Sequence, residues 1–274
     1  MSTLKFHTLK VKNLKKETSD SVSISFEIPS ELSSSYTFIQ GQSITLRHTI
    51  KGEDVRRSYS ICSSPLDNEL RVGIKMVENG LFSTYANRDL KEGDTLEVMT
   101  PSGHFYTELN PSQSKQYLAF AAGSGITPML SIIKTTLATE LNSSFTLVYG
   151  NKDTASIMFL EEIEALKNMY LSRFTVHYIL SREAVDVPIL NGRIDAEKCI
   201  ALNSNNLINI ANAHEAFLCG PESMIMSVKD QLIAAGMNSK NIHFELFTTP
   251  TLAAQANRPL QTEVVPAVDK SNNA

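Results

Sequence analysis

The spacing of apolar residues changes part-way along the chain. This change restricts the folds that the chain can adopt. Up to about residue 108, apolar residues alternate with other residues, as in the runs 22–28 and 70–76. Alternation with a period of two predicts half-buried strands. From about Gln116, short apolar runs alternate with helical stretches instead. The sequence therefore predicts two domains of different class.

The first half, residues 1–108, predicts an antiparallel β barrel. Turn-prone segments at 51–54 and 92–94 separate further short strands. Closing such strands into a barrel is an economical way to leave no sheet edge unpaired. We expect a six-stranded antiparallel barrel here.

The second half, residues 109–250, predicts a doubly wound parallel sheet. Apolar runs at 117–122, 145–149, 174–180 and 216–219 are separated by stretches with helical patterning. Such strand–helix alternation is typical of a parallel sheet covered by helices on both faces. Residues 251–274 contain few bulky apolar side chains and predict a linker or a disordered tail.

Composition excludes several classes of function. The net charge of −4 and the lack of a basic stripe argue against a nucleic-acid partner. No run approaches the roughly 18 to 20 apolar residues of a membrane span, and the N-terminus lacks a signal-peptide core, so a cytoplasmic protein is expected. Cys62, Cys199 and Cys219 include no closely spaced pair, which predicts free thiols and no metal or iron–sulfur site.

The strongest local signal is the segment 122–128, Ala-Gly-Ser-Gly-Ile-Thr-Pro, between an apolar strand and an amphipathic helix. Gly123 and Gly125 would let the backbone approach a phosphate closely. Thr127 is expected to cap the helix and Pro128 to occupy its first turn, leaving free N–H groups aimed at an anion. The segment predicts a nucleotide pyrophosphate site, with a plain strand–helix turn as the alternative.

A second loop, Cys219-Gly220-Pro221, follows another predicted parallel strand and again places a proline before a helix. Ligands of open parallel sheets bind outside the carboxyl ends of the strands, where both loops would lie. Cys219 would then face a nicotinamide ring. The alternative is a buried cysteine that serves only as a small apolar residue.

In the first half, the segment Arg57-Ser58-Tyr59-Ser60 places a cation, an aromatic ring and hydroxyl groups on one strand. Alternation sends Ser58 and Ser60 to one side and Arg57 and Tyr59 to the other. Binding of one flat phosphorylated cofactor by all of them would require a strand end or a bend. The alternative is an Arg and a Tyr on the barrel exterior.

Taken in order, the segments 57–60, 80–83, 123–128 and 219–221 resemble the ferredoxin–NADP reductase family over residues 1 to about 250. Within that family, the segments 56–62, 96–99 and 103–105 are most similar to the reductase components that serve phenylacetyl-CoA epoxidases. The resemblance implies an FAD-containing reductase that oxidises NAD(P)H and passes its electrons singly to an acceptor.

The resemblance also implies roles for residues at the FAD site. Arg57 would bind the pyrophosphate, Tyr59 would pack on the isoalloxazine and Ser60 would hydrogen-bond near flavin N5. Ser58 belongs to the same cofactor-binding strand. Ile74 and Lys75 would contact FAD through their backbone. The helix N–H groups of Leu81, Phe82 and Ser83 would lie on its phosphates.

Other implied roles concern the nicotinamide cofactor. Thr127 and Cys219-Gly220-Pro221 would hold the nicotinamide against the flavin. Ser181 and Arg182 match the position used for a 2′-phosphate, which favours NADPH over NADH, although they could equally form a solvated strand end. Glu245 and Phe247 match the acidic and aromatic residues beside the flavin, where Glu245 would move protons or tune the flavin. The alternative for Glu245 is an ordinary edge carboxylate. Ser60, Cys219 and Glu245 are the expected catalytic residues.

The sequence departs from the epoxidase reductases in one respect. Those proteins continue into a plant-type ferredoxin domain with four cysteine ligands, and this sequence has no such set. No 2Fe-2S cluster is expected in this chain. Its expected partners are an iron–sulfur acceptor, as a ferredoxin domain or protein, and an oxygenase component. A fragment, a free-standing ferredoxin or flavodoxin reductase, and a non-catalytic electron-transfer subunit are alternatives.

Overall fold

A computed structural model describes residues 5–247, and the tail predicted over residues 251–274 lies outside this range. The first domain contains six antiparallel strands in the order β4-β3-β6-β1-β2-β5. Ile61, directly after β4, forms a bridge with Val72 of β5 and closes the sheet. The predicted six-stranded barrel is confirmed. Its strands are β1 (Phe6–Thr18), β2 (Ser21–Glu27), β3 (Ser43–Ile50), β4 (Glu53–Ser60), β5 (Leu70–Lys75) and β6 (Thr95–Met99).

Alternating apolar residues fill the barrel interior. Helix α1 (Leu81–Arg88) packs against β3, β4 and β5, and its residue Phe82 is buried. This arrangement places the amino end of α1 near the β4 segment that carries Arg57 and Tyr59. The barrel core includes Leu9, Val22, Ile24, Ile44, Leu46, Ile74 and Val98.

Strand β2 departs from the predicted half-buried pattern, because its serines Ser21, Ser23 and Ser25 are buried as well as its apolar residues. Ser23 pairs with Gly73 of β5. A Cβ atom on Gly73 would lie within 3 Å of the side chains of Thr127 and Phe159, which belong to the second domain. The outer face of β2 and β5 is therefore covered by the second domain and not by water.

The second domain is a five-stranded parallel sheet in the order β11-β10-β7-β8-β9. Helices α2 and α3 pack on one face and α4 and α5 on the other, so the predicted doubly wound sheet is confirmed. Within residues 5–247, no helix has the length and apolar character needed to cross a membrane. The elements are β7 (Gln116–Ala122), α2 (Ile126–Thr139), β8 (Ser144–Asn151), α3 (Leu160–Met169), β9 (Phe174–Leu180), α4 (Ala196–Ser204), β10 (Glu215–Gly220), α5 (Glu222–Ala234) and β11 (Ile242–Leu246).

A partly buried ionic cluster joins the two domains. Arg71 of β5 donates two hydrogen bonds to the Glu162 carboxylate of α3, at 2.8 and 2.9 Å. Lys134 of α2 lies 2.7 Å from Asp67 of the barrel domain and 2.8 Å from Glu162. Because the charges are shared between the domains, the cluster fixes the parallel sheet against the barrel.

Candidate active site

A cavity of about 670 Å³ lies at the carboxyl ends of the parallel strands. The strand order reverses between β7 and β10, and ligands of open parallel sheets bind at such a switch point. Lys75 brings the end of β5, and therefore the barrel domain, to the same cavity. Its wall includes Gly123, Ser124, Asn151, Lys152, Ser181, Arg182, Arg193, Gly220, Pro221 and Phe247.

The two glycines of the loop after β7 have different roles. Gly123 has φ +54°, in the left-handed region that favours glycine, and a Cβ atom there would meet nothing. Gly125 approaches the loop after β10 so closely that a Cβ atom would collide with the carbonyl oxygen of Cys219. Gly123 therefore borders the cavity, whereas Gly125 lets the two predicted loops pack together.

The prediction that Thr127 caps α2 is wrong. The helix begins at Ile126, two residues before the start at Pro128 that a cap at Thr127 would give, and no side chain caps it. Thr127 lies in the first turn, and its hydroxyl donates a 3.0 Å hydrogen bond to the carbonyl of Ser124. Helix α5 also begins without a side-chain cap, after Pro221. A 3₁₀ turn, Gly123–Gly125, leads into α2, and the Ile126 N–H already donates to the carbonyls of Gly123 and Ser124. The glycine turn and the uncapped start of α5 therefore border the cavity, and free N–H groups at a helix start suit the pyrophosphate of a dinucleotide.

The three expected catalytic residues come together where the domains meet. The Ser60 hydroxyl, at the end of β4, donates a 2.9 Å hydrogen bond to the Glu245 carboxylate on β11. Cys219 of β10 pairs in register with Glu245 and is fully buried. The structure therefore unites residues from three separate sequence segments.

Burial dominates the electrostatics of this group. It raises the pKa of the Glu245 carboxyl above its usual range, and the hydrogen bond from Ser60 offsets part of the rise. Burial also raises the pKa of the Cys219 thiol, and the nearby charge of Glu245 adds to the effect. Cys219 is consequently a neutral thiol at physiological pH, unsuited to act as a thiolate nucleophile.

The expected FAD-binding side chains lie along β4 and the start of α1. The rings of Tyr59 and Phe82 are 5.7 Å apart between centroids and tilted by 41°. The half-exposed Arg57 guanidinium donates to the carbonyl of Arg56 at 2.6 Å. No side chain caps α1 at Gly80, so the N–H groups of its first turn suit a phosphate. A flat aromatic surface, a cation and an uncapped helix start fit FAD.

Ser58 lies on the other side of β4, as alternation predicts. Its hydroxyl is 2.9 Å from the hydroxyl of Thr45 on β3, away from Tyr59. Ser60, in contrast, is the last residue of the strand, and its side chain points towards β11. This is the strand end that the sequence analysis required for Ser60 to reach the same cofactor as Tyr59. The strand thus presents Arg57 and Tyr59 on one face and Ser60 at its tip.

Ile74 and Lys75 occupy the end of β5. The Ile74 carbonyl accepts a 3.2 Å hydrogen bond from the amide of Asn87 in α1, and Ile74 itself is fully buried. Lys75 lies 3.3 Å from the Asp20 carboxylate and borders the cavity. Ser83 uses its hydroxyl to accept the N–H of Val77, which anchors the start of α1 beside this strand end.

Ser181 and Arg182 begin the loop after β9. Their N–H groups donate to the carbonyls of Asn151 and Lys152, at 3.0 and 2.7 Å, while both residues remain exposed at the cavity. Arg193 lies in the same wall. Phe247 is 42% exposed and borders the cavity from the end of β11.

Several residues of the cavity wall were missed in the sequence: Asn151, Lys152, Arg193, Asp195 and Ser223. The rule that ligands bind at carboxyl strand ends would have pointed to Asn151 and Lys152, since they follow the apolar run 145–149. Arg193 and Asp195 lie in an irregular segment before α4 and carry no local signal of this kind.

Two family models match separate parts of the chain. Residues 8–106 match the oxidoreductase FAD-binding domain and residues 120–230 the oxidoreductase NAD-binding domain. Among solved structures, the FAD/NAD-binding domain of nitric oxide dioxygenase from Vibrio cholerae has 25% sequence identity and a TM-score of 0.73, over 88% of this chain and 98% of that one. These matches define the class of protein: an oxidoreductase with one domain for FAD and one for a nicotinamide cofactor.

Curated relatives narrow the class to a family. One subunit of the 1,2-phenylacetyl-CoA epoxidase of Escherichia coli is 45% identical over 94% of this chain and 72% of its own length. The ferredoxin reductase component of a 3-ketosteroid-9-alpha-monooxygenase from Rhodococcus rhodochrous is 34% identical over 88% of this chain and 65% of its own length. The chain therefore belongs to the ferredoxin reductase family and is an FAD-dependent NAD(P)H oxidoreductase.

Proposed function

We propose that the enzyme takes electrons from NADPH and passes them through FAD to an iron–sulfur acceptor, which serves an oxygenase of the phenylacetyl-CoA epoxidase type. The 45% identity to a component of such an epoxidase supports an epoxidase-type oxygenase as the partner. The similarity to the reductase component of a monooxygenase supports the more general role of supplying electrons to an oxygenase. FAD, when bound, supplies the conversion between the two-electron hydride donor and a one-electron acceptor.

The observation that carries the proposal is the hydrogen bond between Ser60 and Glu245, with Cys219 beside it. Hydride transfer requires two rings in stacked contact, so both cofactor sites must share a wall. Ser60 belongs to the FAD-binding domain, and Cys219 and Glu245 belong to the NAD-binding domain. Their contact supports this point as the place of transfer.

On the FAD side, the residues position and neutralise the cofactor. Arg57 pairs with the pyrophosphate, and Tyr59 packs against the isoalloxazine ring. Ser60 hydrogen-bonds near flavin N5, and Phe247 lies beside the ring. The remaining FAD contacts come from the backbone of Ile74 and Lys75 and from the first-turn N–H groups of Leu81, Phe82 and Ser83, whereas the Ser58 hydroxyl, on the opposite side of β4, bonds with Thr45 instead.

On the nicotinamide side, the pyrophosphate lies against the turn at Gly123 and the start of α5, where uncapped N–H groups suit the anion. Thr127 and the loop 219–221 hold the nicotinamide towards the barrel. Ser181 and Arg182 bind the 2′-phosphate of NADPH, and Arg193 adds a second guanidinium in the same wall. This charge supports NADPH over NADH.

Glu245 holds a proton close to the point of transfer. Its raised pKa keeps the carboxyl protonated to a higher pH than an exposed glutamate. The Ser60 hydroxyl, which donates to this carboxyl, links it to the FAD-binding strand. Glu245 is therefore placed to hold a proton on its carboxyl group, beside the Ser60 hydroxyl that donates to its Oε2 atom.

Steady-state turnover with NADPH and with NADH tests the proposal, using ferricyanide and a plant-type ferredoxin as alternative acceptors. We expect FAD-dependent reduction of both acceptors, with a higher kcat/KM for NADPH. Reduction of ferricyanide without reduction of ferredoxin would contradict the iron–sulfur acceptor. A yellow, folded preparation that oxidises neither nicotinamide would instead contradict direct use of NAD(P)H and favour a subunit reduced by another protein.

A further inference from the structure

Three buried hydroxyl groups lie in a row along helix α2. They belong to Thr127, Ser131 and Thr135, which are 2%, 0% and 5% exposed. Residues at intervals of four lie on one face of a helix, each about one turn beyond the last. A buried hydroxyl group is costly unless it forms a hydrogen bond. The partners of these three groups therefore show what this face of α2 is held against.

The second and third hydroxyl groups bond to the barrel domain. Ser131 donates a 2.6 Å hydrogen bond to the carbonyl oxygen of Ser63. The Thr135 hydroxyl lies 2.9 Å from the Ser64 hydroxyl and donates to the Ser131 carbonyl at 2.6 Å. Ser63 and Ser64 are only 0% and 2% exposed, so these bonds are shielded from water. Short, directional bonds thus join α2 to the segment that follows β4.

The two ends of the bond between Ser131 and Ser63 lead to the two sides of the proposed transfer point. Ser63 comes three residues after Ser60, and the segment between them is paired with β5. Ser131 comes about one helical turn after Thr127, in the same helix. The bond therefore fixes how far the first turn of α2 lies from the end of β4.

The first residue of the row meets the barrel through a close contact with β5. A Cβ atom on Gly73 would lie 2.7 Å from the methyl carbon of Thr127, which is closer than real Cβ contacts come. Glycine at this position thus lets the strand approach α2 closely. Because interiors are close-packed, a shift of α2 would either press Thr127 against β5 or open a gap there.

Hydride transfer is sensitive to such separations, because a misplacement of about 1 Å can lower a rate by roughly a hundredfold. We propose that Ser131 is a positioning residue for this transfer. Its hydrogen bond to the Ser63 carbonyl holds Thr127, and the nicotinamide beside it, at the distance that the FAD-binding strand β4 requires. Ser131 is fully buried, so it acts through Thr127 and not by contact with a cofactor. The inference rests on the proposed role of Thr127 at the nicotinamide.

Two measurements on the FAD-loaded enzyme test the inference: the rate of flavin reduction by saturating NADPH, and the long-wavelength charge-transfer absorbance that appears when nicotinamide and flavin rings stack. Ser131→Ala should slow reduction by about ten- to a hundredfold and weaken this absorbance. FAD content and the Kd for NADP⁺ should stay close to those of wild type, because the phosphate contacts of both cofactors are intact. A purely structural role would lower Tm and cofactor binding, and would leave the rate of the folded, loaded enzyme unchanged.

Thr136→Val is the matched control. Thr136 is a fully buried residue of the same helix, but its hydroxyl has no hydrogen-bond partner among residues 5–247. It lies about 140° around the helix from Ser131, so it belongs to another face. Thr136→Val should keep the rate and the absorbance of wild type.

Ser131→Cys keeps the shape of the side chain but donates only weakly, so its rate should lie between those of wild type and Ser131→Ala. A wild-type rate in Ser131→Ala, or an equal loss in Thr136→Val, would overturn the inference alone. If Ser131→Ala does not fold, a wild-type rate in Ser131→Cys would overturn it. Wild-type enzyme that NADPH does not reduce would refute the proposed function, and the inference with it.

Discussion

Ser60 and Glu245 are 185 positions apart in the chain, yet the Ser60 hydroxyl donates a 2.9 Å hydrogen bond to the Glu245 carboxylate. The bond crosses from the barrel to the last strand of the parallel sheet. It lowers the pKa of Glu245, whereas burial raises it by more. The protonation of Glu245 therefore depends on the contact between the two domains.

Ser60→Ala should raise the pKa of Glu245 further, because the ionised carboxylate loses a hydrogen bond that stabilises it. The measurement is the pH profile of flavin reduction by NADPH in stopped flow. The limb that reports Glu245 should move to higher pH in Ser60→Ala and disappear in Glu245→Gln. Thr45→Ala, which removes a hydroxyl from the neighbouring strand, should leave the limb in place. An unmoved limb in Ser60→Ala would show that the bond does not control this proton.

Cys219→Ala should slow flavin reduction at saturating NADPH by about ten- to a hundredfold, because a small displacement of the nicotinamide is costly at the point of transfer. The flavin content should not change. Cys199→Ala is the control, because Cys199 is also fully buried but lies in α4, on the other face of the sheet. Equal rates for wild type and Cys219→Ala would make Cys219 a purely structural residue.

Tyr59→Ala should weaken FAD binding by about ten- to a hundredfold, since the isoalloxazine loses a large aromatic surface. Flavin absorbance per chain after gel filtration, and titration of the apoprotein with FAD, measure the effect. Tyr170 is also half-buried but belongs to the second domain, so Tyr170→Ala should bind FAD as wild type does. Unaltered FAD affinity in Tyr59→Ala would remove this residue from the site.

Glu162→Gln should destabilise the protein by about 2 kcal/mol, because Arg71 and Lys134 lose a shared, partly buried carboxylate. Thermal unfolding should show a Tm lower by about 4 to 8 °C. Lys10 and Glu27 form an exposed pair at 3.7 Å, and Lys10→Ala should cost less than about 1 kcal/mol. A Tm equal to that of wild type would mean that the domains are held by apolar contacts alone.

The domain classes were predictable because each half has one clear hydrophobic period. The buried serines of β2 were not, because the face of the sheet that they share with Gly73 of β5 packs against residues distant in the sequence, such as Phe159, which lies beside Gly73. Sequence periodicity reports the face that packs within a domain. It does not report a second domain on the other face.

The candidate site was predictable where glycine and proline mark a loop, as at Gly123 and Pro221. The local detail at Thr127 was wrong, because the turn Gly123–Gly125 runs directly into the helix, which starts at Ile126, before Thr127. Asn151 and Arg193 were missed, since an amide at the end of a strand and a cation in the irregular segment before α4 are both common on any surface. Only the fold brings them to one cavity wall.

Arg182→Ala should lower kcat/KM for NADPH by about one to two powers of ten, because a charge-assisted pair with the 2′-phosphate contributes roughly 1.5 to 3 kcal/mol. kcat/KM for NADH should stay nearly constant, since NADH lacks that phosphate. Arg193→Ala should show the same selectivity to a smaller extent if both guanidinium groups share the phosphate. Arg88→Ala, an exposed substitution near the end of α1, controls for the loss of one positive charge. If wild type uses both nicotinamides equally, or if Arg182→Ala lowers both values alike, Arg182 is structural and the preference for NADPH is wrong.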